Sequence, residues 1–358
     1  MAPSTSTHRA LSDHPHQQQG HEENLAKLGE CARWGMLSTL FSLVYGHLLV
    51  ATQLPPDPRQ DGWLLMKSPL PTYIISVGYV LGVTCLAPKL MEDRRPVSGL
   101  RPVMVVYNAL QVVISFWLLY EVAMAGWLTT YSYRCQTCDF SNSPEALRML
   151  RAAYWYYVSK FADFLDTVFF LLNKKYEHIS ALHVVHHSLM PVNMWYGLRY
   201  QPGGHSSFMG FLNAFVHVVM YSYYLLAAMG PRVRPFLWWK KYLTALQMVQ
   251  FIFVMVHSLQ LLFIECPVPY QITWWIFGTS VMFLFLFSNF YLQAYIRAST
   301  KARTQEMNKV VNGFLGCYAN GLTSPRGPPR DVPEMTCKVT ELRQNKTLKN
   351  RREPSSLP

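Results

Sequence analysis

Three histidines, His183, His186 and His187, lie in an apolar segment that is close to the length of a membrane-spanning helix. Positions i, i+3 and i+4 share one face of a helix, so the three imidazole rings converge. An ionisable side chain inside a membrane is costly and therefore marks a candidate functional site. A lone histidine there is most often a hydrogen-bond partner between helices. Three on one face instead predict metal binding, acid–base catalysis or nucleophilic catalysis.

A second group of polar residues precedes these histidines and consists of Lys160, Asp163, Asp166 and Thr167. Their spacing of i, i+3, i+6 and i+7 puts them along one side of a predicted helix. Two carboxylates and one ammonium on one side predict a self-neutralising network that faces the interior of a helical bundle. A set of salt bridges near a helix end is the alternative interpretation.

Two further polar stripes follow the histidines in the sequence. The stripes are Asn213, His217, Tyr221 and Tyr224, and then Thr244, Gln247, Gln250 and His257. Either stripe alone is compatible with ordinary hydrogen bonding between membrane helices. Polar stripes in four consecutive predicted spans favour a shared polar chamber.

The composition indicates that these stripes belong to a membrane protein. Of the 358 residues, 51% are hydrophobic and only 15% are charged, whereas a soluble domain carries about 25% charged residues. A chain this apolar does not stay solvated without folding, which excludes a disordered protein. The net charge of +12 lies in short clusters between apolar runs, and this distribution argues against a soluble nucleic-acid-binding protein.

The apolar runs predict an all-α polytopic membrane protein in which seven transmembrane helices enclose a polar catalytic chamber. Each run is close to the roughly 20 residues that cross a bilayer. The predicted spans are Thr72–Ala87, Val103–Trp127, Ala153–Leu172, Ala181–Tyr196, Phe208–Met229, Tyr242–Ile264 and Ile272–Ile296.

The chain divides into three predicted regions. Residues 1–56 form an N-terminal extension, in which the polar segment Met1–Glu30 is predicted to be disordered. The apolar segment Cys31–Leu54 either crosses the bilayer or lies at its surface. Residues 57–299 form the seven-helix domain, and residues 300–358 form a basic tail that is predicted to be disordered.

The basic residues in the loops predict the orientation in the membrane. They cluster in every second loop, at Lys89, Arg94, Arg95, Arg101, Lys174, Lys175, Arg232, Arg234, Lys240 and Lys241. Such loops face the cytoplasm, which places the C-terminus there. Cys135 and Cys266 then lie in loops on the opposite, oxidising side, and we predict a disulfide between them. The loop at 128–152 departs from the pattern because it holds three arginines.

The polar stripes also carry the motifs of a known family. In chain order, the motifs are Lys160-x-x-Asp163-x-x-Asp166-Thr167, His183-x-x-His186-His187, His217-x-x-Met220-Tyr221-x-Tyr223-Tyr224 and Thr244-x-x-Gln247-x-x-Gln250. On these motifs the chain resembles the ELO family of fatty-acid elongases of animals, over about residues 57–299. It departs from the family pattern at Asp163, where the family usually has glutamate, and at the C-terminus, which lacks a dilysine retrieval signal.

The resemblance implies a condensing enzyme of microsomal fatty-acid elongation. Such an enzyme joins an acyl-CoA to malonyl-CoA and yields CO2, CoA and a 3-ketoacyl-CoA lengthened by one malonyl-derived unit. It implies a multi-pass protein of the endoplasmic reticulum membrane, with no metal or other cofactor, no nucleic acid, and other enzymes of the elongation cycle as neighbours. The acyl chain is expected to enter an apolar tunnel among aromatic-rich helices. Val184 and Val185, between the box histidines, resemble the residues at these positions in the family branches that act on very-long-chain and polyunsaturated fatty acids.

The resemblance also implies roles for the polar residues. His186 is expected to be the nucleophile that forms an acyl-imidazole, with His183 and His187 beside it in the catalytic box. His217 is expected to assist from a facing helix, and Asp166 to hold one imidazole tautomer. The expected substrate-binding residues are Lys160 and Asp163, the oxyanion donors Asn213, Tyr221, Gln247 and Gln250, and the CoA-phosphate contacts Arg94, Lys174, Lys175, Lys240 and Lys241. Direct condensation, with the histidines as acid–base catalysts only, is the alternative.

Other protein classes remain open at this point. Membrane di-iron desaturases and hydroxylases also carry a His-x-x-His-His box, but they need roughly eight imidazoles to hold two irons. Outside the polar N-terminal segment this chain has eight histidines and one such box. A seven-helix receptor has no evident use for the ionisable cluster, and a transporter usually shows paired repeats.

Overall fold

The computed structural model describes residues 14–297, 299–300 and 303–312. Every regular element among these residues is a helix, which confirms the predicted all-α class for this part of the chain. The helices are α1 (His14–Tyr45, continued by a π-helical turn at Gly46–Ala51), α2 (Leu70–Met91), α3 (Leu100–Trp127), α4 (Pro144–Ala162), α5 (Phe164–Leu172), α6 (Ala181–Tyr200), α7 (Gly204–Met229), α8 (Lys240–Leu262) and α9 (Tyr270–Arg297).

Five of these helices, α2, α3, α7, α8 and α9, are long and apolar enough to cross a membrane. They correspond to five of the predicted spans and support a polytopic membrane protein. The other two predicted spans, Ala153–Leu172 and Ala181–Tyr196, are helical but do not combine the length and the apolar composition of a span. These segments carry the lysine, aspartates and histidines of the motifs, and those residues lower their mean hydropathy.

The segment predicted as the third span begins earlier than expected and is interrupted in the middle. Ser143 caps α4, because its hydroxyl accepts a hydrogen bond from the Ala146 amide at 3.2 Å and satisfies a free donor of the first turn. Residues 144–152, which the sequence assigned to a loop, are therefore helical. Asp163 separates α4 from α5. Its own amide still donates to the carbonyl of Ser159 at 3.1 Å, and the helical hydrogen bonding is interrupted just after it, where the Asp166 amide donates to the carbonyl of Asp163 at 3.2 Å. The interruption thus falls within the motif.

Residues 14–51 of the N-terminal extension are helical and contact the rest of the bundle. Helix α1 includes residues 14–30, so the prediction of disorder is wrong for that part of the polar segment. Helix α1 is not among the five apolar candidate spans. Residues 303–312 of the predicted tail are also helical, whereas residues 1–13 and 313–358 lie outside the described residues. The domain boundaries at 57 and 299 stay predictions.

Pairs of helices bring the motifs to one place. Helix α3 packs along α7, α8 along α9, and α1 along α6, while α4 contacts both α3 and α6. The aromatic residues Tyr157, Trp195 and Tyr196 are buried in the largest apolar core, between α4 and α6. The helices that carry the ionisable motifs therefore pack against one another.

The connecting segments lie at two ends of the bundle. A disulfide joins Cys135 to Cys266, with Cα atoms 5.8 Å apart, and this is the pair that the loop assignment predicts. The turn after α6 is held at the same end, because the His205 amide donates to the carbonyl of Gln136 at 2.7 Å. We term this the disulfide end. The segments 92–99, 173–180 and 230–239 lie at the opposite end, termed the basic end.

Candidate functional site

A buried ion pair lies where α4 ends. Lys160 Nζ is 3.0 Å from Asp163 Oδ2, and the two side chains are only 2% and 5% exposed. The ammonium also lies over the ring of Tyr156, 4.6 Å from its centroid, where the face of the ring attracts a cation. This pair is the buried, self-neutralising arrangement that the spacing predicts.

Tyr221 of α7 joins the two carboxyl groups of the motif. Its hydroxyl is 2.9 Å from Asp163 Oδ1 and 3.0 Å from Asp166 Oδ2. A phenol has only one proton to donate. Both contacts are therefore hydrogen bonds only when one of the two carboxyl groups is protonated and donates to the phenol oxygen. Gln111 of α3 also donates to Asp163 Oδ1, at 2.8 Å. Asp163 thus accepts from an ammonium, an amide and a phenol, which together stabilise its charge.

The histidine box occupies the start of α6. His183 Nε2 lies 2.7 Å from Thr167 Oγ1, and the ring centroids of His183 and His187 are 4.3 Å apart. The ring of His186 lies 5.4 Å from that of His187 and 5.2 Å from that of Phe283 on α9. The three rings are therefore neighbours, but His186 turns toward α9 while His183 turns toward α5.

The role of Asp166 in holding an imidazole tautomer stays a prediction. Asp166 contacts Tyr221, and it is Thr167 that contacts the histidine box through His183. Adjacent residues on a helix point about 100° apart, so only one of the two faces α6. Thr167 Oγ1 is in turn 2.9 Å from the hydroxyl of Tyr79 on α2, and this second contact holds it in place.

His217 lies on α7, one turn before Tyr221. The two ring centroids are 5.6 Å apart. His217 lines a small cavity together with Tyr156, Lys160 and Asp163. The predicted assisting histidine therefore faces the buried ion pair.

The predicted amide donors divide into two groups. Asn213 Oδ1 accepts from the Tyr156 hydroxyl at 2.7 Å, and Asn213 Nδ2 is 3.5 Å from Gln250 Oε1. Gln247 instead contacts Met220 Sδ at 3.5 Å. Asn213 and Gln250 thus belong to the network around Tyr156, whereas Gln247 lies outside it.

His257, the last residue of the stripe on α8, lies away from the ionisable cluster. Its ring stacks on that of His205 at the disulfide end, with centroids 3.7 Å apart. It is seven positions beyond Gln250, about 10 Å farther along the helix. His257 therefore follows the spacing of the stripe, but it packs against His205 and not against the ionisable cluster.

An apolar cavity lies beside the polar residues. It shares Tyr156 with the smaller cavity and extends along α6 to Gln201 and Ser206 at the disulfide end. Its apolar walls include Met149, Met190, Met194, Met209, Trp275 and Ile276. Flexible methionine side chains adapt well to an apolar occupant, so the cavity suits an apolar chain.

The lysines predicted to contact phosphates lie at the basic end, away from the buried ion pair. They are Lys174, Lys175, Lys240 and Lys241. Lys174 adopts a left-handed backbone conformation, with φ of 54°, and donates to the carbonyl of Glu92 at 3.0 Å. Arg94 is exposed in the same region. Burial lowers the pKa of nearby His178, so its imidazole adds no positive charge there at neutral pH.

Sequence analysis missed Gln111 and Tyr156, both of which contact the cluster. Gln111 belongs to a buried polar set on α3 with Asn108 and Ser115, at i−3 and i+4. A polar stripe inside an apolar span is the signal that identified the other helices, and it was available here as well. Tyr156 gave no such signal, because aromatic residues are common throughout these helices.

Comparison with known proteins shows the family. The sequence model of ELO, the GNS1/SUR4 family, matches residues 64–303. A very long chain fatty acid elongase of Aedes aegypti is 54% identical over 248 residues, which cover 69% of this chain and 68% of the relative. Very long chain fatty acid elongase 7 of Drosophila melanogaster is 50% identical over 271 residues, 75% of this chain and 82% of the relative. Human very long chain fatty acid elongase 1 is 44% identical over 256 residues, which cover 70% of this chain and 91% of the relative.

The helices and the buried motifs define a polytopic membrane protein with an ionisable cluster beside an apolar cavity. The chain belongs to the ELO family, and the resemblance predicted from the four motifs is confirmed.

Proposed function

We propose that this chain is a fatty-acid elongase that condenses a long-chain acyl-CoA with malonyl-CoA. The products are CO2, CoA and a lengthened 3-ketoacyl-CoA. The observation that carries the proposal is an apolar cavity that shares Tyr156 with the buried ion pair and is lined by Met190, one turn after His186. Membership of the ELO family supports it, since the relatives are named very long chain fatty acid elongases.

The proposed architecture is a bundle of seven transmembrane helices around a polar chamber. In this architecture, α4 with α5, and α6, add two spans to the five apolar helices, since α4 packs against both α3 and α6. The basic end faces the cytoplasm, so the phosphates of CoA stay in water near the lysines. The disulfide end then faces an oxidising lumen, which fits the endoplasmic reticulum membrane.

In the first proposed step, a lone pair on His186 attacks the thioester carbonyl of the acyl-CoA. A carbon–nitrogen bond forms, the carbon–sulfur bond breaks, and the imidazole proton passes to the departing CoA thiolate. The partly buried ring of His186 supports this assignment, because it turns away from the Thr167 contact that engages His183. The apolar cavity extends along the same helix and would receive the acyl chain.

In the second proposed step, malonyl-CoA loses CO2 and the resulting enolate attacks the acyl carbon. A carbon–carbon bond forms, the carbon–nitrogen bond to His186 breaks, and the departing imidazolate takes up one proton from solvent, which restores the neutral imidazole. His217 and Lys160 line one small cavity, so they are placed to stabilise the enolate oxygen. Tyr221 supplies a proton donor one turn from His217.

Neither a metal nor another cofactor takes part in this scheme. Among the described residues, no three His, Cys, Asp or Glu side chains are grouped so that they hold one metal ion. The di-iron alternative has no support from the relatives. Direct condensation, with the histidines acting only as acids and bases, differs from the scheme by the absence of an acyl-enzyme. Other enzymes of the elongation cycle are proposed neighbours by family analogy.

The test combines product analysis with a search for the acyl-enzyme. Purified protein is incubated with labelled malonyl-CoA and a panel of acyl-CoAs, without reductant or added metal, and 3-ketoacyl-CoA is expected. Absence of product with every chain, from folded protein, would contradict the proposed function.

The acyl-enzyme is tested separately, with acyl-CoA alone and intact-mass spectrometry. The wild-type protein is expected to gain the mass of one acyl group, and His186→Ala is expected to gain none. His178→Ala is the matched control, because His178 lies in a connecting segment and should leave acylation unchanged. Persistent acylation of His186→Ala would overturn the nucleophile assignment while leaving condensation possible.

A further inference from the structure

Helix α1 packs along α6, the helix that carries the histidine box, although α1 precedes the family match, which begins at residue 64. Between residues 26 and 42 its buried residues are Leu28, Cys31, Gly35, Thr39 and Ser42. Their spacing of three or four residues puts them on one face. The opposite face exposes large apolar side chains, including Trp34, Leu37 and Phe41. Small residues inward and large apolar residues outward are typical of close helix packing in lipid.

The first contact of α1 with α6 lies directly behind the histidine box. A Cβ atom on Gly35 would lie 3.0 Å from Val184 and 3.1 Å from Val80. Both valines are fully buried, so neither has room to move aside. Val184 lies between His183 and His186 in the sequence. The glycine therefore lets the backbone of α1 approach the box from its outer side.

The second contact lies about two and a half helical turns farther along α6. Ser42 Oγ donates to Asn193 Oδ1 at 2.7 Å. Asn193 is seven positions after His186, about 10 Å along the same side of the helix, and it lines the apolar cavity. The hydroxyl of Ser42 thus orients an amide in the wall of that cavity. Helix α1 touches α6 both at the box and beside the cavity.

We propose that α1 is a positioning element that fixes α6 and thereby determines how the acyl chain is held relative to His186. The inference rests on the proposed elongase function. One helix carries both the box and a wall of the cavity. Helix α1 contacts it on both sides of its internal Pro191, at Val184 and at Asn193, so a displacement of α1 reaches both. A misplacement of about 1 Å lowers catalysis by as much as roughly 100-fold. The Gly35 and Ser42 contacts are therefore expected to affect turnover and chain preference.

The closing experiment compares the same substitution at two glycines of α1. Gly35→Leu inserts a side chain against α6, whereas Gly29→Leu adds one on an exposed face with nothing within 4 Å. For each full-length variant, kcat and KM are measured with a series of acyl-CoAs of increasing length. Gly35→Leu is expected to lose roughly 10- to 100-fold in kcat and to shift the preferred chain length. Gly29→Leu is expected to match the wild type.

A second pair of variants, with smaller changes in side-chain volume, keeps the inference testable if Gly35→Leu does not fold. Ser42→Ala removes the bond to Asn193, whereas Ser38→Ala removes only a bond to the carbonyl of Gly35 within α1. Ser42→Ala is expected to change KM for chains long enough to reach Asn193 and to leave short chains unaffected. Ser42→Thr, which keeps the hydroxyl, is expected to restore the wild-type profile.

The outcomes separate the inference from the proposed function. An active wild type whose chain-length profile is unchanged in Ser42→Ala, and equal in Gly35→Leu and Gly29→Leu, would overturn the inference alone. Lower thermal stability with an unchanged profile would also overturn it, because it would make α1 a structural support only. An inactive wild type would contradict the proposed function and the inference with it.

Discussion

Replacing Lys160 with methionine should destabilise the protein far more than the same replacement at Arg148. Both side chains form ion pairs, Lys160 with Asp163 at 3.0 Å and Arg148 with Glu121 at 2.7 Å. They differ in burial, because the first pair is 2% and 5% exposed and the second is 29% and 21% exposed. The comparison therefore isolates the effect of desolvation.

The magnitude follows from what each substitution leaves behind. Removing one partner of a buried ion pair costs about 3–5 kcal/mol, because the remaining charge stays buried without its counter-ion. Asp163 keeps the donors Gln111 and Tyr221, so we expect the lower end, about 3 kcal/mol for Lys160→Met. A partly exposed pair contributes about 0–1 kcal/mol, and Arg148→Met should cost no more than that.

The assay is equilibrium unfolding in mixed detergent micelles, followed by the fluorescence of the ten tryptophans. A double variant, Lys160→Met with Asp163→Leu, removes both charges and should regain much of the stability. If Lys160→Met costs no more than Arg148→Met, the ion pair is hydrated or unformed and the reasoning fails. A double variant that is less stable than both single variants would contradict it as well.

Two further predictions concern the disulfide end. Gly204 has φ of +62°, and a Cβ there would lie 2.6 Å from the backbone at Thr137, so Gly204→Ala should cost about 1–3 kcal/mol. Gly278→Ala, in a helix with open space around the Cβ, should be neutral or stabilise by about 0.5–1 kcal/mol, and equal effects in unfolding measurements would contradict this. Burial raises the pKa of the Cys138 thiol to about 12, so the thiol stays protonated and resists maleimide near neutral pH until the protein unfolds. Rapid labelling of folded protein, located by peptide mass mapping, would refute that.

The sequence could predict the helical class and most of the cluster, because ionisable residues in apolar spans are rare and therefore informative. It could not predict the interruption at Asp163, since the backbone angles of Asp163 are themselves helical and no proline or glycine flanks it. The contacts that Asp163 makes with Gln111 and Tyr221 come from other helices. Tertiary hydrogen bonds of this kind leave no local pattern in the chain.

Helical periodicity also places a residue on a face without identifying the helix that it faces. Asp166 and Thr167 illustrate this, because the spacing allowed either to contact the histidine box and the structure selects Thr167. The N-terminal helix shows the same difficulty in another form. The composition of residues 14–30 is polar and predicts disorder, yet the segment continues into a helix that packs along α6. Its later contacts, through Gly35 and Ser42, depend on a partner far along the chain.

Tyr156 explains how a charged cluster and an apolar cavity lie side by side. The face of its ring meets the Lys160 ammonium, and its hydroxyl donates to Asn213. Both polar interactions of the side chain are thus engaged on the cluster side, while the residue also lines the apolar cavity. An unpaired charge facing that cavity would cost several kcal/mol in desolvation, so the boundary must be formed by a group that is polar on one side only. On the proposed function, this boundary is where an acyl thioester must lie, because its chain requires the apolar cavity and its carbonyl requires the polar residues.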